Sequence, residues 1–137
     1  MSDIHITVAD RAGRRTASSG SKWEPIMGYS RAVRAGNLIA VTGSVGVNAD
    51  GTYAKSLGEQ TARSLAIIQA AIEALGGTIG QVYRTRMFVT DVSKWEEVAR
   101  VHGSVFKEIR PATTIVEVAR LIDAEAQIEI EADAMVS

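Results

Sequence analysis

Between Leu57 and Leu75, the residues Leu57, Thr61, Leu65, Ile68, Ile72 and Leu75 recur at steps of three and four, which confines them to one stripe of a helix. A helix with a single apolar stripe has to bury it on another layer. Gly76-Gly77 ends this helix, because glycine accepts the left-handed conformation that helix ends commonly need. The layer it covers is readable in the flanking segments. Val82 to Val89 alternates loosely and predicts a strand, and Gln127 to Met135 sets Ile128, Ile130, Ala132 and Ala134 against Gln127, Glu129, Glu131 and Asp133. Thr114 to Val118 predicts a further strand.

A second helix is expected after Ser93, which with Glu96 matches a capping box. Trp95, Val98, Val101, His102 and Val105 mark its apolar face, and Arg110-Pro111 prevents its continuation. Upstream, Ile4, Ile6 and Val8 suggest a first strand. Arg11 to Lys22 reads as an exposed connection. Tyr29 to Val33 and Leu38 to Thr42, joined by the turn residues Arg34 to Asn37, predict a hairpin whose second strand ends at Gly43.

The expected order is βββαβαββ, an α+β chain with two helices on one face of a single mixed sheet. Leu38-Ile39-Ala40-Val41 is apolar on both alternations, so the helix-free face is expected to bury itself on another subunit.

Composition narrows the function. A chain of 137 residues with 46% apolar content fits one domain, 1–137. Fifteen basic and sixteen acidic residues give a net charge of -1, which favours neither a nucleic acid nor a membrane surface. No cysteine is present, so disulfides, thiolate metal sites and a cysteine nucleophile are excluded, in keeping with a cytoplasmic protein. The start, Met1 to His5, lacks the pattern of a secretory signal. The two histidines, His5 and His102, form no zinc pattern, and Gly43-Ser44-Val45-Gly46 has the glycine spacing of neither a dinucleotide fingerprint nor a P-loop. Tyr29, Thr113, Thr114 and Glu129 are polar residues at or near strand ends. On pattern alone they read as a rim tyrosine, β-forming threonines and a solvated sheet face.

Several motifs together resemble the YjgF/RidA family. They are Gly28-Tyr29-Ser30-Arg31-Ala32-Val33, Gly36 to Gly43, Glu59 to Arg63, Val89-Thr90-Asp91, Pro111-Ala112 through Leu121, and Ile128 to Ala132. The resemblance runs from about residue 28 to the C-terminus and leaves 1–27 as a divergent N-terminal strand and connection. It implies a chorismate-mutase-like fold, a homotrimer with clefts between subunits, no metal and no cofactor. For members with the full motif it further implies hydrolysis of enamines and imines to keto acids and ammonia. By position, Tyr29 would line the cleft, Gly43 would offer backbone groups, and Glu129 would position water.

One motif position departs from the pattern. Thr113 stands where active members carry an arginine that grips a carboxylate, and Ile115 where many have cysteine. A threonine hydroxyl gives one neutral bond of about 1 kcal/mol, against roughly 1.5 to 3 for each of two charged bonds. The deficit is of order 2 to 5 kcal/mol, or roughly thirtyfold to several thousandfold in affinity. The usual 2-imino acid activity is therefore not expected unless Arg31, Arg84 or Arg86 supplies the charge. Trp23 and the segment 18–24 are candidate contributors to the cleft. The alternative reading is a non-catalytic small-ligand-binding or regulatory protein. The ribonuclease label carried by some relatives finds no support in the neutral composition.

Overall fold

The computed structural model describes residues 3–137. Met1 and Ser2, the start of the segment read for a targeting signal, lie outside the described residues. Seven strands form one mixed sheet: β1 (Thr7–Arg11), β2 (Arg14–Ser18), β3 (Ala32–Ala35), β4 (Leu38–Val45), β5 (Val82–Val89), β6 (Ala112–Glu117) and β7 (Ile128–Met135). Their spatial order is β1-β2-β3-β4-β7-β5-β6, antiparallel throughout except for the parallel pair β5 and β6. The helices are α1 (Trp23–Met27), α2 (Leu57–Ala74) and α3 (Trp95–Phe106).

The stripe on α2 is buried at every predicted position from Leu57 to Leu75. It lies against the inward side of β4 and β7, where Ile39, Ile128 and Ile130 are fully covered. Each such aliphatic side chain contributes about 1.5 to 3 kcal/mol relative to exposure. The Ser56 hydroxyl accepts from the Glu59 N–H at 3.1 Å and caps the first turn. At the other end Gly76, with φ of 87°, lets the Gly77 N–H reach the Ile72 carbonyl at 2.9 Å, and this closes the helix. On β7, Ile128, Ile130, Ala132 and Ala134 are buried, while Glu129, Glu131 and Asp133 face the helix-free side half-buried.

The N-terminal third departs from expectation. The first strand is Thr7–Arg11 rather than Ile4 to Val8, and the expected connection contains β2. Ala12 and Gly13, at φ of 52° and 76°, make the two-residue turn between them. Only Thr16 and Ala17 of β2 are buried, too few to leave an alternating pattern in an arginine-rich segment. The expected βββαβαββ order thus gains a strand and the short helix α1. The next hairpin turns at Gly36-Asn37, with Tyr29 to Arg31 preceding β3 rather than opening it.

Three local expectations also change. Gly43 does not end β4, because the strand bulges between Val41 and Ser44 and runs on to Val45. Ser93 forms no capping box with Glu96. Its backbone N–H instead donates to Asp91 Oδ1 at 3.1 Å, so Asp91 caps a 3-10 turn that leads into α3. A capping box does form at Thr78 and Gln81. Trp95, at the first residue of α3, is exposed, whereas Val98 and Phe106 are buried.

Candidate functional site

The bulge in β4 sets the site. Every residue of a regular strand pairs, but the irregular stretch between Val41 and Ser44 leaves the Gly43 carbonyl to a side chain, and the Arg31 guanidinium fills that role. Arg31 Nη1 donates to the Gly43 carbonyl at 2.9 Å and to Ser44 Oγ at 3.3 Å. Its Nε donates to Ser19 Oγ at 3.0 Å, and its Nη2 lies 3.8 Å from the Glu24 carboxylate. Both partners of this ion pair are buried, and Glu24 Oε2 also accepts from the backbone of Ser19 and Ser21. The segment 19–24, α1 and the bulge are therefore held together through one arginine.

Glu129 comes from β7, in register with Val45 on one side and Phe88 on the other. Its carboxylate lies over Gly43, where a Cβ would stand 2.7 Å from Oε2, so only glycine lets the two coexist as placed. Burial raises the Glu129 pKa above the usual carboxylate range, and the nearby Glu131 charge raises it further, while Arg31 opposes both. A carboxylate whose proton affinity is raised by burial inside a cavity is a candidate general base.

A cavity of about 470 Å³ opens beside this pair, within the size range of small-molecule sites. Tyr29, Arg31, Gly43 and Glu129 line it together with Ser19 to Trp23. Its far wall is Tyr53, whose hydroxyl donates to Asp123 Oδ2 at 2.6 Å, and burial with that partner pushes the phenol pKa upward. Arg63 on α2 pairs with Asp3, and both line the cavity together with Ile4 and His5 before β1. Lys22 is exposed at the rim, its ammonium 4.9 Å from the Trp23 ring.

Of the residues singled out by sequence, Tyr29, Arg31, Gly43 and Glu129 meet in this cavity, and the segment around Trp23 joins them. Thr113 and Ile115 do not. They stand on β6 at the sheet edge, in register with Thr85 and Met87 of β5, on the side covered by helices. Glu129 points to the other side. Arg86 is also on the helix-free side, paired with Glu131 at 3.5 Å and Asp133 at 3.2 Å, and Arg84 is in register with Asp133. Neither arginine lines the cavity. Among the described residues no group of acids and histidines is arranged to hold a metal ion.

Sequence reasoning placed Ser19 and Glu24 only within a candidate segment, without their contacts to Arg31, and missed Tyr53 and Asp123. Glu24 had one available signal, an acid following a tryptophan at the start of a short helix. The contact between Tyr53 and Asp123 spans 70 residues and leaves no local trace.

The model of the family described as Endoribonuclease L-PSP matches residues 19–136. An Escherichia coli 2-iminobutanoate/2-iminopropanoate deaminase is 34% identical over 111 residues, 78% of this chain and 86% of that protein. Among solved structures, a Mycobacterium tuberculosis member of the YjgF/YER057c/UK114 family superposes with a TM-score of 0.83 at 45% identity, covering 90% of this chain and 99% of its own. Escherichia coli TdcF with bound serine gives 0.75 at 27% identity, over 80% of this chain and 88% of its own. The fold and these matches define a YjgF-type α+β chain. The protein belongs to the YjgF/RidA family.

Proposed function

We propose that this protein binds a small enamine or imine in the cavity at Gly43 and hydrolyses its C–N bond. The observation that carries the reading is the Glu129 carboxylate, raised in pKa and seated against Gly43 in a cavity of metabolite size. Glu129 accepts a proton as a water oxygen bonds to the imine carbon. The C–N bond of the resulting adduct then breaks once that proton and the adduct's own hydroxyl proton, relayed by the same carboxylate, have both passed to nitrogen, leaving a carbonyl compound and ammonia. Arg31 serves the bulge rather than the ligand, since its Nη1 and Nε are bonded to Gly43, Ser44 and Ser19 and its charge is paired with Glu24. It holds the bulge in shape. No metal or cofactor takes part.

Thr113 and Ile115 face away from Glu129 within one chain, so the two sets meet on one ligand only across copies. The proposed assembly is a homotrimer of single domains, 1–137, acting in the cytoplasm, with clefts between subunits. Exposed Leu38 and Met135, paired across β4 and β7, and exposed Tyr83 and Val116 support such contacts. With neutral Thr113 in place of a cation, 2-imino acids are poor substrates for this cleft. A second reading, a non-catalytic binding or regulatory protein, draws on the same neutral residue.

The test is carbonyl and ammonia release from freshly generated 2-aminoacrylate and from its amide, with native protein and Glu129→Gln. Acceleration that Glu129→Gln abolishes supports hydrolysis. Ligand-dependent thermal stabilisation without turnover supports the second reading, because binding the native state raises its stability by mass action.

A further inference from the structure

At the free edge of the sheet a short chain of hydrogen bonds leads out of the core. The imidazole Nε2 of His102, on α3, lies 2.9 Å from Thr85 Oγ1, and Thr85 Oγ1 lies 2.8 Å from Thr113 Oγ1. Thr113 Oγ1 in turn donates to the Pro111 carbonyl at 3.2 Å. Thr85 is fully buried, His102 half-buried and Thr113 exposed, so the chain ends at the surface.

The hydrogens can be counted. Each hydroxyl has one, and a carbonyl has none. The Pro111 contact is a hydrogen bond only with Thr113 as its donor, and in the arrangement that keeps this bond the hydrogen between the two threonines belongs to Thr85. With that hydrogen committed, the one between Thr85 and His102 belongs to Nε2. Every donor then points outward, from His102 through Thr85 to Thr113. Aligned bonds of this kind polarise one another, so the last hydroxyl is the strongest donor in the chain.

We infer that His102 and Thr85 are positioning residues that present the Thr113 hydroxyl as an oriented, uncharged donor, and that the ligand atom it takes is a neutral carbonyl-type oxygen rather than a carboxylate. This rests on the proposed reading in one respect, that Thr113 reaches a ligand. On arrival the ligand oxygen replaces the Pro111 carbonyl as acceptor. A carboxylate in that place loses its water and gains one neutral bond, which an amide or ketone oxygen uses at smaller loss. Burial lowers the His102 pKa, so the chain carries no charge near neutrality.

Two measurements test this, using pyruvamide and pyruvate as a matched neutral and anionic pair. Long-range proton–nitrogen NMR, with His5→Gln to assign the two rings, is expected to find hydrogen on His102 Nε2 in the unliganded protein. Calorimetry is expected to find pyruvamide bound more tightly than pyruvate, roughly fivefold to tenfold weaker binding of pyruvamide after Thr85→Val, and recovery in Thr85→Ser. Thr113→Arg is expected to reverse the preference. A His102 ring carrying hydrogen on Nδ1 alone overturns the inference without any ligand, and so covers the case in which Thr85→Val fails to fold. Pyruvate preferred by the native protein, or no change in Thr85→Val, overturns it while leaving the cavity reading in place. Binding of neither probe overturns both.

Discussion

Replacing Arg31 with methionine keeps the apolar stem of the side chain and removes the charge that neutralises Glu24. Both residues are buried, with side chains 8% and 7% exposed, so the remaining carboxylate cannot regain bulk water without opening the structure. Removing one partner of a buried pair costs about 3 to 5 kcal/mol. Glu24 keeps three donors, the N–H and hydroxyl of Ser19 and the N–H of Ser21, and the ion-pair contact is long at 3.8 Å. Those bonds place the expected cost near the lower end, about 3 kcal/mol, with the orphaned Gly43 carbonyl included. For a chain of this length that lowers the melting temperature by roughly 10 °C. Urea unfolding followed by circular dichroism, at one protein concentration, measures it. The double variant Glu24→Gln with Arg31→Met leaves no buried charge and should recover about half of the loss as coupling between the sites. An Arg31→Met protein within about 1 kcal/mol of native would refute the reasoning and return Arg31 to the role of a free ligand cation.

Three further outcomes follow from the same geometry. Gly43→Ala adds a Cβ that meets the tip of the Glu129 side chain rather than backbone, so the fold should stay within about 1 kcal/mol of native while hydrolysis falls by roughly 10² or more, read from kcat beside the unfolding midpoint. Gly46→Ala is the contrasting case, since its Cβ would collide with the α2 backbone at Gln60; a loss of about 3 kcal/mol or failure to fold is expected in the same unfolding assay. Glu129→Gln should stabilise the protein at pH 7.5. The folded-state pKa of Glu129 is raised, so the stability linked to its proton is present below the unfolded value of 4.5 and lost as pH rises through the folded one. Melting temperatures of native and variant should therefore converge as pH falls toward 4.5, and a gap that widens instead would contradict the direction of the shift.

The parts of the fold that announce themselves in sequence are those whose periodicity is enforced by burial on one side. The α2 stripe, β5 and β7 are of this kind, since their inward residues are covered and their outward ones are not. β2 escaped because it buries two small residues, Thr16 and Ala17, and carries its arginines outward, leaving nothing for an apolar count to detect. The site divides along the same line. Tyr29, Gly43 and Glu129 were singled out by resemblance to the family's motifs, and the structure brings them to one cavity. The role of Arg31 was not legible, because it depends on Glu24 and Ser19 meeting it across a turn and a short helix. Nor was the His102 to Thr113 chain, whose members are 17 and 28 residues from Thr85 and adjacent only once α3 packs on the sheet.

A crystal structure of the protein with pyruvamide tests the central claim most directly. The expected density lies between Gly43 and Glu129 of one copy and Thr113 of a neighbouring one, with the amide oxygen accepting from the Thr113 hydroxyl and Arg31 still held by Glu24. Density away from Glu129, or a ligand gripped by Arg31, Arg84 or Arg86 with Thr113 still bonded to Pro111, would contradict it.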